Sequence, residues 1–189
     1  MWSRRGLCFP TVVLAVLIMP SCSHDDPLDA TTSACDQPGN LVQNCGFDSN
    51  TEGWRVNVNE TGTYVSDDGA SRRGSLEVTG RQSGTEYFAD ASQCINLPSG
   101  PTYDLGAYIR VVEGMPDSCQ LGVVGYLDAT CRNSAGNLWS VPIVARSSWG
   151  RSPSFSITVP IQPSFAIYPQ CRGSLPFRIR VDDISLIAR

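Results

Sequence analysis

The chain has 189 residues, 41% of them hydrophobic, and a formal charge of −4 from 14 basic and 18 acidic side chains. Every basic residue is arginine, and His24 is the only histidine. An acidic surface argues against nucleic acid or anionic lipid as the partner, and a lone histidine near the N-terminus leaves no Ser-His-Asp, Cys-His or histidine-based zinc site in the body of the chain.

Residues 1–21 read as an export signal. Arg4 and Arg5 form a positive start, and the apolar run from Leu7 to Met19 is too short to span a bilayer comfortably. Met19-Pro20-Ser21-Cys22 closes the run and resembles the lipobox of bacterial lipoproteins. That resemblance implies cleavage before Cys22, lipidation of Cys22, and a protein exported to the bacterial cell envelope and held there by a membrane anchor. Residues 22–39 are polar, rich in turn formers and without apolar periodicity, so they are expected to form a flexible tether. Cys8 leaves with the signal, while Cys35, Cys45, Cys94, Cys119, Cys131 and Cys171 form the even set that an oxidising compartment favours. If the run from Cys119 to Asp128 is one strand, Cys119 and Cys131 lie about 30 Å apart, beyond disulfide reach. Cys131 is then expected to pair with Cys171 or Cys94.

From Leu41 onward, short alternating runs are punctuated by Gly, Pro, Asn and Asp. "GTYVSD", "GSLEVTG", "YFADASQCINL", "TYDLGAYIRVV" and "CQLGVVGYLD" are strand-like, followed by "SFSITVP", "SFAIYPQ" and "PFRIRVDDISLIA". No window carries a helical stripe. The pattern predicts an all-β domain over residues 40–189, an antiparallel β-sandwich. In "TYDLGAYIRVV", Tyr103, Leu105, Ala107 and Ile109 share the core face, and Asp104, Gly106, Tyr108 and Arg110 the other. In "CQLGVVGYLD", Leu121, Val123 and Leu127 are expected inward, with Gln120, Val124, Tyr126 and Asp128 outward. Trp139, in "AGNLWSVP", follows turn residues and is read as a loop residue open to ligand contact.

The stretch "NLVQNCGFDSNTEGW", Asn40 to Trp54, resembles the opening of the CenC-like carbohydrate-binding modules of families 4, 9 and 22. "GASRRGSLEVTG", "TYDLGAYIRVV", "SSWGRSPSFSITVP" and "FRIRVDDISLI" resemble later motifs of the same family, in the same order. The resemblance implies a galactose-binding-like jelly roll with a concave face for a sugar chain, and a structural calcium. By position it assigns the metal to the Gly46 carbonyl, Asp48, Asp68 and Asp183, with Asp67 or Asp182 able to replace its neighbour. Calcium asks for such hard oxygen ligands. The alternative is that "SDDG" is a turn and "DDI" places one aspartate on a solvated face. Trp54 and Trp149 have the places of the family's packing tryptophans.

A sugar site asks for a flat aromatic surface flanked by polar side chains. The outward positions supply Tyr108, Arg110, Gln120, Tyr126 and Asp128. The expected function is therefore a non-catalytic, monomeric, envelope-anchored protein that binds an oligo- or polysaccharide. Its rival is a surface, adhesion or scaffold sandwich that binds a protein and carries a degenerate sugar face. An enzyme would need a carboxylate pair such as Asp104 and Asp128, in a chain with little room for a deep cleft.

Overall fold

The computed structural model describes residues 33–189 except 58–59. Its strands are β1 (Arg55–Val56), β2 (Thr61–Val65), β3 (Ser75–Thr79), β4 (Arg81–Ser83), β5 (Glu86–Ile95), β6 (Thr102–Glu113), β7 (Ser118–Tyr126), β8 (Ser134–Ile143), β9 (Gly150–Arg151), β10 (Phe155–Thr158), β11 (Ser164–Gly173) and β12 (Arg178–Ala188). They form two antiparallel sheets. The first runs β1-β5-β11-β7-β8 with β4 beside β5, and the second runs β10-β6-β12-β3-β2 with β9 beside β6. This is the all-β sandwich that the alternation predicts.

Period-two patterning builds the core between the sheets. Leu105 and Ile109 of β6, Leu121 of β7, Phe165 and Ile167 of β11, and Ile179 and Leu186 of β12 are all buried. Each such side chain contributes roughly 1.5–3 kcal/mol by leaving water. Tyr103 is buried with them and donates its hydroxyl to the Pro98 carbonyl at 2.9 Å. The expected inward set on β6 holds. On β7, Leu121 and Val123 point inward, but Leu127 is 64% exposed, because the strand ends at Tyr126 and Leu127 begins the next loop.

Two expectations about irregular segments change. The tether was expected to reach residue 39, yet its stretch from Ser33 to Cys35 is tied to the sandwich: Ser33 is buried and donates to Asp183 Oδ1 at 2.6 Å, and Cys35 bonds to Cys45. The signal and residues 22–32 of the tether, Cys22 among them, lie outside the described residues. Trp139 is not a loop residue. It lies on β8 opposite Val123 and packs against the core, so the turn formers before it misled because Gly136 sits within the strand at φ 78°.

The other disulfides join Cys94 to Cys131 and Cys119 to Cys171. The first matches one of the two partners expected for Cys131. The second lies inside, between neighbouring residues of β7 and β11.

Candidate functional site

The outer face of the first sheet can be read row by row from its register. Asp90 of β5, Gln170 of β11, Gln120 of β7 and Pro142 of β8 lie side by side. In the next row, Tyr168 of β11 faces Gly122 of β7, which faces Ser140 of β8. On the other side, Arg81, Phe88, Arg172 and Ser118 line up across β4, β5, β11 and β7. Alternation sends all of these outward, since Phe165, Ile167 and Cys171 fill the core side of β11.

The first row is a directed hydrogen-bond ladder. Gln120 Nε2 donates to Gln170 Oε1 at 3.2 Å. The side chains of Gln170 and Asn57 bond the Asp90 carboxyl, where burial raises the pKa and these two bonds oppose the rise. Because the Asp90 carboxylate only accepts, it turns the Gln170 amide toward itself, and the Gln170 oxygen is left for Gln120. Each amide NH2 carries a second hydrogen, so the ladder leaves donors aimed at whatever lies on the sheet. Glu60 stands at the edge and accepts the Asp90 backbone N–H at 2.8 Å. Burial is the main cause that raises its pKa to about 7, with the Asp90 charge adding to it.

The second row provides an aromatic surface. A Cβ at Gly122 would lie 2.4 Å from Tyr168 Cζ and 2.5 Å from its hydroxyl, so the tyrosine ring lies across the bare glycine backbone. Burial raises the pKa of Tyr168, and the nearby Tyr126 and Asp90 add to it. Tyr126 responds in the same way to burial, Asp128 and Asp90. The two tyrosines therefore share one face with the ladder. Pro169 has no N–H to give, and the pairing of β11 with β5 skips Tyr168 and Pro169.

A loop closes one end of this face. It leaves β7 after Tyr126 and reaches across β11 to β5, where Cys131 bonds to Cys94. Ser164 and Ala166 stand on the outward side of β11 and are nevertheless buried beneath it. Ser164 Oγ donates to the Asp128 carbonyl at 2.5 Å. At the other end lies a depression of about 330 Å³ lined by Phe88, Ser118, Gln120, Pro142, Gln170 and Arg172 among others. Flat aromatic area, an ordered amide ladder and a shallow open depression are the ingredients of polysaccharide recognition.

A family model described as carbohydrate binding domain, covering module families 4 and 9, matches residues 39–160. The chain belongs to this family. No curated protein sequence matches it. Among solved structures, the carbohydrate-binding domain is similar to the tandem CBM22-1–CBM22-2 domain of Paenibacillus barcinonensis Xyn10C, with TM-score 0.62, 19% identity, and cover of 80% of this chain and 51% of that one. TmCBM61, solved in complex with β-1,4-galactotriose, gives TM-score 0.55 at 17% identity, covering 79% of this chain and 99% of that one. The enzymatically active domain of bacteriophage CBA120 tailspike protein 4 gives 0.58 at 17%, covering 80% of this chain but only 22% of the tailspike. These likenesses are of fold.

Of the residues expected to bind sugar, the carbohydrate-binding domain puts Gln120 and Tyr126 on one face, keeps Asp128 at the end of that face, and separates Tyr108 and Arg110 from them. Tyr108 and Arg110 belong to β6, in the second sheet, and face the opposite side of the sandwich. There Arg110 pairs with Asp68 at 2.9 Å and lies over Trp149, while Arg151 lies over Tyr108. Consecutive strands in a jelly roll often change sheets, so equal outward parity on β6 and β7 meant opposite surfaces. Asp128 is spent on its own loop: its carboxylate accepts from the backbone N–H of Thr130, Arg132 and Asn133, and these bonds with the Thr130 hydroxyl lower its pKa to about 2. The Asp104 and Asp128 pair cannot flank one substrate either, since Asp104 is on β6 and bonds Arg189 and Ser156. Asp90, Phe88, Tyr168, Gln170 and Arg172 were missed. Their signal was the alternation in "YFADASQCI" and "SFAIYPQCRG".

Three of the four expected calcium-binding residues lie in one neighbourhood. A bulge between Asp182 and Ser185, with Asp183 at φ 45°, breaks the alternation of β12. Both aspartates are thereby buried, at 0% and 2% exposure, so neither lies on a solvated face. A Cβ on Gly46 would lie 3.6 Å from Asp183 Oδ1 and 3.7 Å from Asp48 Oδ1. Asp183 Oδ2 is buried and has no hydrogen-bond partner among the described residues. Asp182 accepts from the N–H groups of Ala70 and Asp183, and burial followed by the charge of Asp183 raises its pKa to about 8. An orphaned carboxylate oxygen beside a second buried acid fits a hard cation. Asp68 does not join them, because its carboxylate holds Arg110 and Arg180 on the far side of the second sheet. The one trio of metal-type ligand atoms within 4.8 Å of one another among the described residues is Cys35, Cys45 and Asp183, and its sulfurs form a disulfide. A cation here would therefore draw on Asp183, Asp48 and the Gly46 carbonyl.

Proposed function

We propose that the protein is a non-catalytic glycan-binding lipoprotein of the bacterial envelope, and that it binds its glycan on the outer face of the first sheet. The observation that carries this reading is the Tyr168 ring lying across Gly122 beside the Asp90–Gln170–Gln120 ladder. The pyranose C–H face would stack on Tyr168 and Tyr126 while the amides bond its hydroxyls. The Cys94–Cys131 loop would bound the bound chain at one end. Calcium, if held by Gly46, Asp48 and Asp183, would neutralise the buried acids and stabilise the loop entering the sandwich, well away from the sugar. Lipidation at Cys22 would anchor the domain through its N-terminal segment.

A glycan array with the purified full-length protein, with calcium and then with chelator, tests the reading. Selective binding that is lost in Tyr168→Ala and kept in Tyr108→Ala is expected. Binding lost instead in Tyr108→Ala would move the site to the second sheet, and silence from folded protein would leave a scaffold or protein-binding unit. Chelation is expected to lower the melting temperature; an unchanged value would remove the calcium from the proposal.

A further inference from the structure

The arginines of the two outer faces are used differently. On the second sheet four are matched by acids: Arg110 with Asp68, Arg180 with Asp68 and Glu77, Arg178 with Glu77 and Glu113, and Arg189 with Asp104, while Arg151 lies over the Tyr108 ring. Arg172 of the first sheet has no carboxylate within ion-pair distance among the described residues. Its Nε donates to Ser118 Oγ at 3.0 Å, which holds the guanidinium in place and leaves its terminal nitrogens directed elsewhere. Among the described residues it is also the one charged side chain lining the depression. Arg81 lies on the same row beyond Phe88, two strand spacings or about 10 Å away. Part of its charge is answered by Glu60.

We infer that the glycan bound on this face carries an anionic group, a carboxylate or sulfate ester on a sugar unit, and that Arg172 receives it. The inference rests on the reading of this face as the glycan site. A guanidinium presents two parallel N–H donors to such an oxyanion, and a prior bond to Ser118 reduces the freedom lost on binding. Phe88 and Pro142 offer apolar contact to the ring of the same sugar, and Gln120 and Gln170 offer its hydroxyls partners. The chain's net charge of −4 does not oppose this at contact range. Salt screens charges beyond roughly 8 Å, so the paired carboxylates of the opposite sheet count little here. On the same face the Asp90 carboxyl is held by the Gln170 and Asn57 side chains, and Glu60 accepts the Asp90 N–H.

Affinity electrophoresis of the full-length protein through polygalacturonate, its methyl-esterified form, a sulfated galactan and neutral xylan tests the inference. Stronger retardation by an acidic polymer than by the methyl-esterified or neutral ones is expected, and the uronate and sulfate arms identify which anion is read. Arg172→Gln should weaken acidic-polymer binding by about tenfold, as loss of a charge-assisted pair implies. Arg172→Lys, which keeps the charge but loses the fork, should fall between. Neutral polymers bound as well as acidic ones, with Arg172→Gln without effect, would overturn the inference and leave the glycan-binding reading standing. No retardation by any polymer, from folded protein, would overturn both.

Discussion

Gly122 shows how a single missing Cβ can organise a surface. A tyrosine can lie across this strand only because nothing projects from it. Gly122→Ala would force the Tyr168 ring to lift, at about 1–3 kcal/mol for overpacking. We expect a lower melting temperature together with lost glycan retention. The double variant Gly122→Ala/Tyr168→Ala should recover much of the stability lost in Gly122→Ala, because it removes the clash. Additive losses in a thermal-melt cycle would show that the two residues do not meet. The same kind of local chemistry explains Trp54, whose Nε1 donates to the Asn44 carbonyl and whose ring lies 5.4 Å from Phe47. The family resemblance had given it the place of a packing tryptophan, and it packs against the core.

Elements decide what single residues cannot. The loop between β7 and β8 is held from within by Asp128, which accepts from three backbone N–H groups, and from without by the Cys94–Cys131 bond. Asp128, one of the five residues expected to bind sugar, is thus the scaffold of a loop that borders the site. Replacing both cysteines, Cys94→Ser/Cys131→Ser, should leave the sandwich folded, since the inner Cys119–Cys171 bond and the core remain. Glycan binding should weaken as the loop gains freedom. Unchanged binding in the reduced-loop variant would show that the loop takes no part. The bulge of β12 acts likewise: it turns two neighbouring aspartates into buried neighbours, which no strictly alternating strand permits.

For the whole molecule, the half-buried Glu60 connects the site edge to folding stability. Its folded pKa of about 7 lies above the unfolded value of 4.5, so the folded state holds the proton more tightly. That contribution is fully present below about pH 4.5 and is lost as pH rises through about 7. After discounting for solvent screening, the loss amounts to roughly 1 kcal/mol or less, a few degrees in melting temperature. Glu60→Gln keeps an acceptor for the Asp90 N–H and should flatten this part of the pH profile. An identical slope in the variant, measured by thermal melts from pH 5.5 to 8, would assign the dependence to another group.

Period-two alternation, turn chemistry and an even cysteine set sufficed to read an all-β antiparallel sandwich and the inward face of β6, because burial acts on each strand separately. The ordered motifs from Asn40 to Ile187 pointed to the carbohydrate-binding domain family for the same reason: each lies within one strand or loop. The inside and outside of a strand are local, but which of two sheets receives it is not. That choice depends on hydrogen bonding between strands far apart in the chain, such as β11 between β5 and β7. Tertiary structure therefore put Tyr108 and Arg110 opposite Gln120 and Tyr126. It gathered Asp90, Tyr168, Gln170 and Arg172 from two strands onto one face, and gave Asp68 to two arginines rather than to a cation.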